Sequence, residues 1–177
     1  MDIRVDSDTV VVFDLDDTLY NEIDFLISAY KSIAKNIDET KSKKIFSVMF
    51  SLYRNNQDVF KYLTKVYPIE KKLLLEIYRE HIPNIKLRSY IHNLFQEIHN
   101  KSGKLALLTD GRSSTQRNKL KALGLEDIFD YISISQEIQA VKPSLKGFQL
   151  IESKFNRIVF SILKRLLVKI RLKSNLT

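Results

Sequence analysis

Length, composition and charge restrict the classes of protein to which the sequence can belong. Its 177 residues suffice for one domain, or for a core with a small inserted module, but not for two full domains. The absence of cysteine excludes disulfide frameworks, zinc–thiolate sites and thiol nucleophiles, and it is typical of a reducing compartment. The amino terminus lacks the basic region and apolar run of a signal peptide, and charges interrupt every apolar stretch of membrane-spanning length. We therefore expect a cytoplasmic protein with no transmembrane segment.

The net charge of +8 is concentrated at the carboxyl end of the chain. Seven Lys or Arg residues and no acid lie between Lys154 and Thr177, so the rest of the chain is nearly neutral. A charge excess that is confined to one segment indicates a local feature and not a binding face of the whole domain. We expect no nucleic-acid partner, and a nucleic-acid or anionic-membrane binder that uses this basic tail is the third-ranked hypothesis.

Short apolar strands alternate with helical stretches along the chain. The predicted strands cover residues 9–13, 104–108 and 131–135. The predicted helices cover several short segments within the glycine-free block 22–80, then residues 90–99, 113–123 and 145–153. Ser113 or Ser114 is the expected amino-terminal cap of the third of these regions, and Gly124 is expected to end it.

The alternation predicts an α/β fold with a doubly wound parallel sheet, right-handed crossovers and a helical block inserted after the first strand. We expect the α/β core in residues 1–20 and 84–153 and the helical insert in residues 21–83. Residues 154–177 form a basic amphipathic tail.

The first group of residues with chemical potential follows the first predicted strand, in the string VVFDLDDTLY. Asp14 and Asp16 stand two residues apart, a spacing that lets two carboxylates face one ligand from an extended loop. One carboxylate can then attack phosphorus while the other protonates the leaving oxygen. A plain acidic turn that starts a helix is the alternative for such a pair considered alone.

The string Phe13-Asp14-Leu15-Asp16-Asp17-Thr18-Leu19 resembles the signature of the haloacid dehalogenase superfamily. The resemblance implies that Asp14 is the nucleophile that forms an aspartyl-phosphate and that Asp16 is the general acid and base. It also implies a Mg²⁺ ion bound by the Asp14 carboxylate and the backbone carbonyl of Asp16. Because Asp16 matches the second acid of the phosphatase members, phosphatase chemistry is favoured over dehalogenation.

Two further motifs follow in the order that this family shows. The string LALLTDGRSS resembles the second motif, which implies that Thr109 and the backbone N–H groups of Asp110 and Gly111 bind the substrate phosphate. The string AVKPS resembles the lysine motif, which implies that Lys142 neutralises the charge of the phosphate and the nucleophile. Each is weak alone, and their order after Asp14 supports the resemblance. The helical insert in residues 21–83 lies between the first and second motifs, which matches the position of an α-helical cap in one large subgroup of the family and implies that it is such a cap.

The fourth motif of the family, an acidic loop that completes the Mg²⁺ site, has no counterpart here. No Asp or Glu follows Glu152 in the sequence. Losing a charged ligand weakens Mg²⁺ binding, so we expect impaired or abolished turnover. One hypothesis is that a frameshift or a premature end has replaced the original carboxyl terminus. The alternatives are a membrane-surface helix, a partner-binding helix and an ordinary final helix, because leucines and isoleucines of the tail recur at helical spacing.

These features predict a Mg²⁺-dependent phosphohydrolase that acts on a small phosphorylated metabolite, a phosphomonoester, through Asp14. The alternative is a catalytically inactive or truncated member of the family that binds a phosphorylated ligand or partner without turnover.

Overall fold

The computed structural model describes residues 5–156, 158–163 and 166–169, and it describes side chains in the first of these segments. The chain divides into two compact units. One comprises Met1–Asn21 and Lys86–Thr177, and the other comprises Glu22–Ile85.

A five-stranded sheet is the centre of the first unit. The strands are β1 (Thr9–Phe13), β2 (Lys104–Thr109), β3 (Tyr131–Ile134), β4 (Ile158–Leu163) and β5 (Leu166–Lys169). Their order is β3-β2-β1-β4-β5, and β1 pairs in parallel with both β2 and β4. The predicted doubly wound α/β fold with a parallel sheet is confirmed, with β5 added antiparallel at one edge.

Both faces of the sheet are buried against helices, which explains why every residue of β1 is buried. On one face, Val10 and Val12 pack in a cluster with Phe148 and Ile151 of helix α8 (Lys146–Phe155). On the other face, the rings of Phe13, Phe95 and Phe129 meet one another edge-on or tilted, with centroids 5.1 to 6.3 Å apart.

Helix α6 (Ser113–Leu123) begins directly after the loop that follows β2, and it ends at Gly124 in the left-handed conformation, as predicted. The expectation that Ser113 or Ser114 caps its amino terminus is wrong. Arg112 occupies the cap position, and no side chain caps the helix. The N–H of Ser113 instead donates to Gln136 Oε1 at 2.7 Å, so a neighbouring segment satisfies this backbone group.

The helical alternatives for the tail are wrong for residues 158–163 and 166–169, which form β4 and β5. Pairing with the buried strand β1 satisfies the backbone of β4, and β4 in turn pairs with β5. Residues 164, 165 and 170–177 of the predicted tail lie outside the described residues.

The second unit is entirely helical. Its helices are α1 (Glu22–Ile37), α2 (Ser42–Arg54), α3 (Val59–Val66) and α4 (Lys71–Glu80). They enclose a core in which Ile33, Met49, Leu63 and Leu74 are fully buried. The remaining helices, α5 (Ile91–Asn100) and α7 (Ser135–Ile138), belong to the first unit. In the described part of the chain, no helix has the length and apolar character needed to cross a membrane.

Replacing Phe148 tests the packing of α8 on the sheet. Phe148 is 4% exposed, so Phe148→Ala should lower the free energy of unfolding by about 3 to 5 kcal/mol through lost burial and a residual cavity. Leu145→Ala is the control, because Leu145 stands three residues earlier and is 50% exposed. Urea unfolding followed by circular dichroism measures both, and equal losses would contradict this packing.

Candidate active site

Asp14 follows β1 directly and is nearly enclosed by the protein, with 6% of its surface exposed. Burial raises the pKa of this carboxyl above its ordinary 3.8. The hydrogen bond and the charge of Lys142 lower the pKa and offset this rise only in part. The ionised form of Asp14 is therefore less stable than that of a carboxylate in water. Lys142 is the cation that stabilises this ionised form.

Lys142 reaches Asp14 from the loop before α8, with its Nζ 2.5 Å from Asp14 Oδ1. Two contacts orient it. Its backbone N–H lies 3.1 and 3.3 Å from the two carboxylate oxygens of Asp110, and its Nζ lies 3.3 Å from the carbonyl oxygen of Leu108. The side chain of Asp110 thus ties the lysine loop to the loop after β2.

Asp16 receives hydrogen bonds on both of its carboxylate oxygens. Lys119 Nζ lies 2.8 Å from Oδ1, to which the hydroxyl of Tyr20 also donates. Gln116 Nε2 lies 3.0 Å from Oδ2. Helix α6 supplies the lysine and the glutamine, so this helix holds the second aspartate in place.

Thr109 ends β2 and is completely buried. Its Oγ1 lies 2.6 Å from Nε2 of Gln116, the amide group that also binds Asp16. One glutamine therefore joins the predicted phosphate-binding threonine to the predicted acid and base. The carboxyl ends of β1 and β2 lie side by side in the sheet, which is why residues so distant in sequence meet here.

Gly111 does not present its N–H to this group of residues. Its N–H donates to Ser135 Oγ at 2.9 Å, and the same hydroxyl lies 3.3 Å from the Gly111 carbonyl oxygen. A glycine is required here, because its φ is +140° and an added Cβ would lie 3.1 Å from the Gln116 side chain. The contact with Ser135 gives Gly111 a role in loop conformation.

Arg88 supports the loop that carries Asp16. Its Nε donates to the Thr18 carbonyl oxygen at 3.1 Å, and its Nη2 donates to the Asp17 carbonyl oxygen at 3.1 Å. Its backbone N–H donates to the carbonyl oxygen of Leu19 at 2.9 Å. Three consecutive loop carbonyls are thus held by one residue from the segment before α5.

The structure brings together Asp14, Lys142, Asp16 and Thr109 of the predicted site, and it joins Asp110 to them through its carboxylate. Sequence reasoning missed the supporting side chains Tyr20, Arg88, Gln116, Lys119 and Ser135. A signal existed for two of them. Gln116 and Lys119 are three residues apart on the face of α6 that also carries the buried Leu120 and Leu123.

The site offers oxygen ligands, which suit Mg²⁺, but only a small number of them. The Asp14 carboxylate and the Asp16 backbone carbonyl are oxygen ligands, which Mg²⁺ prefers, and the ion keeps several waters in most sites. Within the residues that the structure describes, no group of three or more His, Cys, Asp or Glu side chains could hold a metal. The donor set therefore fits Mg²⁺ in chemical kind, with two protein oxygens that could bind it.

Comparison with known proteins agrees with this fold. Residues 11–157 match the haloacid dehalogenase-like hydrolase family. A glyceraldehyde 3-phosphate phosphatase of Methanocaldococcus jannaschii is 31% identical over 156 residues, which cover 78% of this chain and 67% of the relative. A second protein with that name, from Methanothermobacter thermautotrophicus, is 29% identical over 154 residues, 78% of this chain and 68% of the relative.

Solved structures show the same architecture. A magnesium-bound structure of YfnB from Bacillus subtilis superposes with a TM-score of 0.58 at 21% identity, covering 86% of this chain and 73% of that one. A structure described as a β-phosphoglucomutase from Thermotoga maritima superposes with a TM-score of 0.59 at 19% identity, covering 86% and 74%. At these identities the likeness concerns the fold alone.

The fold, the order of the motifs and the match over most of the chain define a class of hydrolase. The chain belongs to the family of haloacid dehalogenase-like hydrolases. Its relatives within the family include phosphatases, so the predicted family and the predicted enzyme class, a hydrolase of the phosphatase kind, are confirmed.

The raised pKa of Asp14 predicts a pH-dependent loss of stability. A carboxyl whose pKa is higher in the folded than in the unfolded state binds more protons when folded, so stability falls as pH rises from about 3.8 through the folded pKa. Asp14→Asn cannot ionise and should lack this fall. Melting temperatures of both proteins between pH 3 and pH 8, in buffer with a chelator, measure the difference. Parallel curves would contradict the prediction.

Removing the Arg88 side chain tests its support of the loop. Arg88→Met should lower the free energy of unfolding by about 1 to 3 kcal/mol, because carbonyl oxygens lose a charged donor while the aliphatic stem is kept. Lys86→Met is a control in the same segment at an exposed position. Denaturant titration measures the free energy of unfolding of both variants. If the control loses as much stability as Arg88→Met, the guanidinium group is not the cause of the loss.

Proposed function

We propose that this protein is a Mg²⁺-dependent phosphohydrolase that cleaves a small phosphomonoester through an aspartyl-phosphate on Asp14. The observation that carries the proposal is the pairing of the buried Asp14 with Lys142, beside Asp16 and Thr109, at the carboxyl ends of β1 and β2. A nucleophile, a cation, a proton-transfer group and a hydroxyl that can bind phosphate are therefore within one small region.

Asp14 is the proposed nucleophile. One of its carboxylate oxygens attacks the phosphorus atom, and the bond from phosphorus to the ester oxygen breaks. Its burial limits hydration of the attacking oxygen, and Lys142, 2.5 Å away, stabilises the negative charge that the phosphoryl group brings. The Thr109 hydroxyl and the Asp110 N–H are the further proposed phosphate ligands. Gly111 is a weaker candidate, because its N–H already donates to Ser135.

Asp16 is the proposed acid and base. It gives a proton to the leaving oxygen in the first step and takes a proton from the water that hydrolyses the aspartyl-phosphate in the second. The products are an alcohol and inorganic phosphate, and both aspartates return to their starting states. Donors on both oxygens orient the ionised carboxylate, which is the form that takes the proton from water in the second step.

The Asp14 carboxylate and the Asp16 backbone carbonyl are the proposed Mg²⁺ ligands. When bound, the ion neutralises negative charge on the phosphoryl oxygens. A related fold has been solved with magnesium, which supports the proposal.

The substrate class follows from the relatives and from the domain arrangement. Two curated relatives are named glyceraldehyde 3-phosphate phosphatase, so triose phosphates are the first compounds to test. The helical unit Glu22–Ile85 is inserted in the chain between the first and second motifs. We assign to it the role of a cap that selects the substrate, with residues 1–20 and 84–153 as the proposed catalytic core.

A second candidate function is binding of a phosphorylated ligand without turnover. It is favoured by one observation: the residues that follow β4 in the sequence, Lys164 and Arg165, are basic, whereas the fourth motif of the family is acidic. Two ligands from one loop hold Mg²⁺ less tightly than three.

Phosphate release separates the two candidates. The purified chain should release phosphate from members of a panel of small phosphomonoesters that includes glyceraldehyde 3-phosphate, and only when Mg²⁺ is added. Asp14→Asn should lose at least about 1,000-fold in rate, since it removes the nucleophile. A half-maximal Mg²⁺ concentration in the millimolar range or above is expected from the small ligand set.

Folded protein that releases no more phosphate than Asp14→Asn would overturn the enzymatic proposal. Calorimetric titration with inorganic phosphate then tests the second candidate, which requires binding that is weakened in Lys142→Met. Circular dichroism of each variant confirms that differences do not arise from unfolding.

A further inference from the structure

Lys119 is a buried lysine that takes no part in the proposed reaction steps. Its side chain is 7% exposed, although lysine is rarely buried and the burial of an unpaired ammonium group is costly. Its Nζ lies 2.8 Å from Oδ1 of Asp16. The ion pair with Asp16 therefore offsets part of the cost of burying Lys119. Asp16 is the residue to which the proposed function assigns the proton transfers.

The surroundings of Asp16 leave its carboxylate little freedom to rotate. Lys119 and Tyr20 bind Oδ1, and Gln116 binds Oδ2 while its amide also contacts Thr109. Lys119 is the charged member of this set, and it approaches from a different element than the loop that carries Asp16. Its loss would remove both a positional constraint and the nearest described cation of the carboxylate.

We propose that Lys119 is a positioning residue for the hydrolysis, acting through Asp16. This inference rests on the proposed function. When an Asp14 oxygen bonds to phosphorus and the ester bond breaks, the leaving oxygen takes the proton of Asp16. The Lys119 ammonium holds Asp16 in line with that oxygen and stabilises the carboxylate that remains.

A merely structural ion pair would affect all substrates alike, whereas a positioning role depends on the leaving group. An alkoxide needs a proton to leave, and a nitrophenolate does not. General acid catalysis contributes about 100-fold to 10,000-fold where it is needed. Loss of Lys119 should therefore slow the cleavage of alkyl phosphates much more than that of p-nitrophenyl phosphate.

The test compares Lys119→Met with Lys121→Met, an exposed lysine two residues further along the same helix. The substrates are p-nitrophenyl phosphate and the best alkyl phosphate of the panel. For Lys119→Met we expect kcat/KM to fall at least about 30-fold with the alkyl substrate and less than about 5-fold with the aryl substrate. KM for the alkyl substrate should change less than about 3-fold. The control should stay within about 2-fold of the wild type for both.

A double-mutant cycle checks that the effect passes through Asp16. In an Asp16→Asn background, Lys119→Met should cost less than about 2-fold more with the alkyl substrate, because the group it positions is gone. Thermal melting shows whether each variant is folded, and Lys119→Gln takes the place of Lys119→Met if the latter is not.

Equal losses on both substrates, or losses that multiply in the double variant, would overturn the positioning role while leaving the phosphatase proposal intact. A wild-type chain without phosphatase activity would overturn the proposed function and this inference together. The two failures are distinguished by the activity of the wild type alone.

Discussion

The site depends on placing two carboxylates two residues apart at the end of a buried strand. Asp14 and Asp16 follow β1, which is enclosed on both faces of the sheet, so their charges must be balanced by nearby groups. Two lysines from separate elements provide the balance: Lys142 pairs with Asp14, and Lys119 pairs with Asp16. The loop before α8 and the helix α6 must both dock on the sheet for this pairing to form. The site is therefore complete only when these elements of the core are in place.

The residues that follow β4 bear on the proposed Mg²⁺ site. Family members complete this site with an acid after the fourth strand, and here β4 pairs with β1 in a register that sets Ile162 beside Phe13. β4 thus lies next to β1, and the two residues that follow it in the sequence are Lys164 and Arg165, not acids. The family fold is therefore present, and the acidic loop that the fourth motif predicts is not found after this strand. Both proposed functions, catalysis and ligand binding without turnover, follow from this combination.

The errors of sequence reasoning share a physical cause. Serine is a preferred residue at the amino-terminal cap of a helix, yet Ser113 is not the cap, and its N–H donates to Gln136 of a neighbouring segment. The tail has leucines at helical spacing, yet β4 gains backbone pairing with β1 and becomes a strand. In both places a partner distant in sequence offered hydrogen bonds that local patterns do not reveal. The spacing of Gln116 and Lys119 places them on the buried face of α6, but it does not reveal their partner Asp16, which lies about a hundred residues away.

The sequence by itself determined the α/β class, the strands on either side of the site and the identity of its central residues. These follow from local information: buried strands are continuous apolar runs, and the motifs Asp14-Leu15-Asp16 and Lys142-Pro143 are short strings. Only the tertiary structure decided which groups support them. Lys119 and Asp110 become part of the site because parallel strands bring the loops after β1 and β2 to one edge, and no pattern within either loop records that meeting.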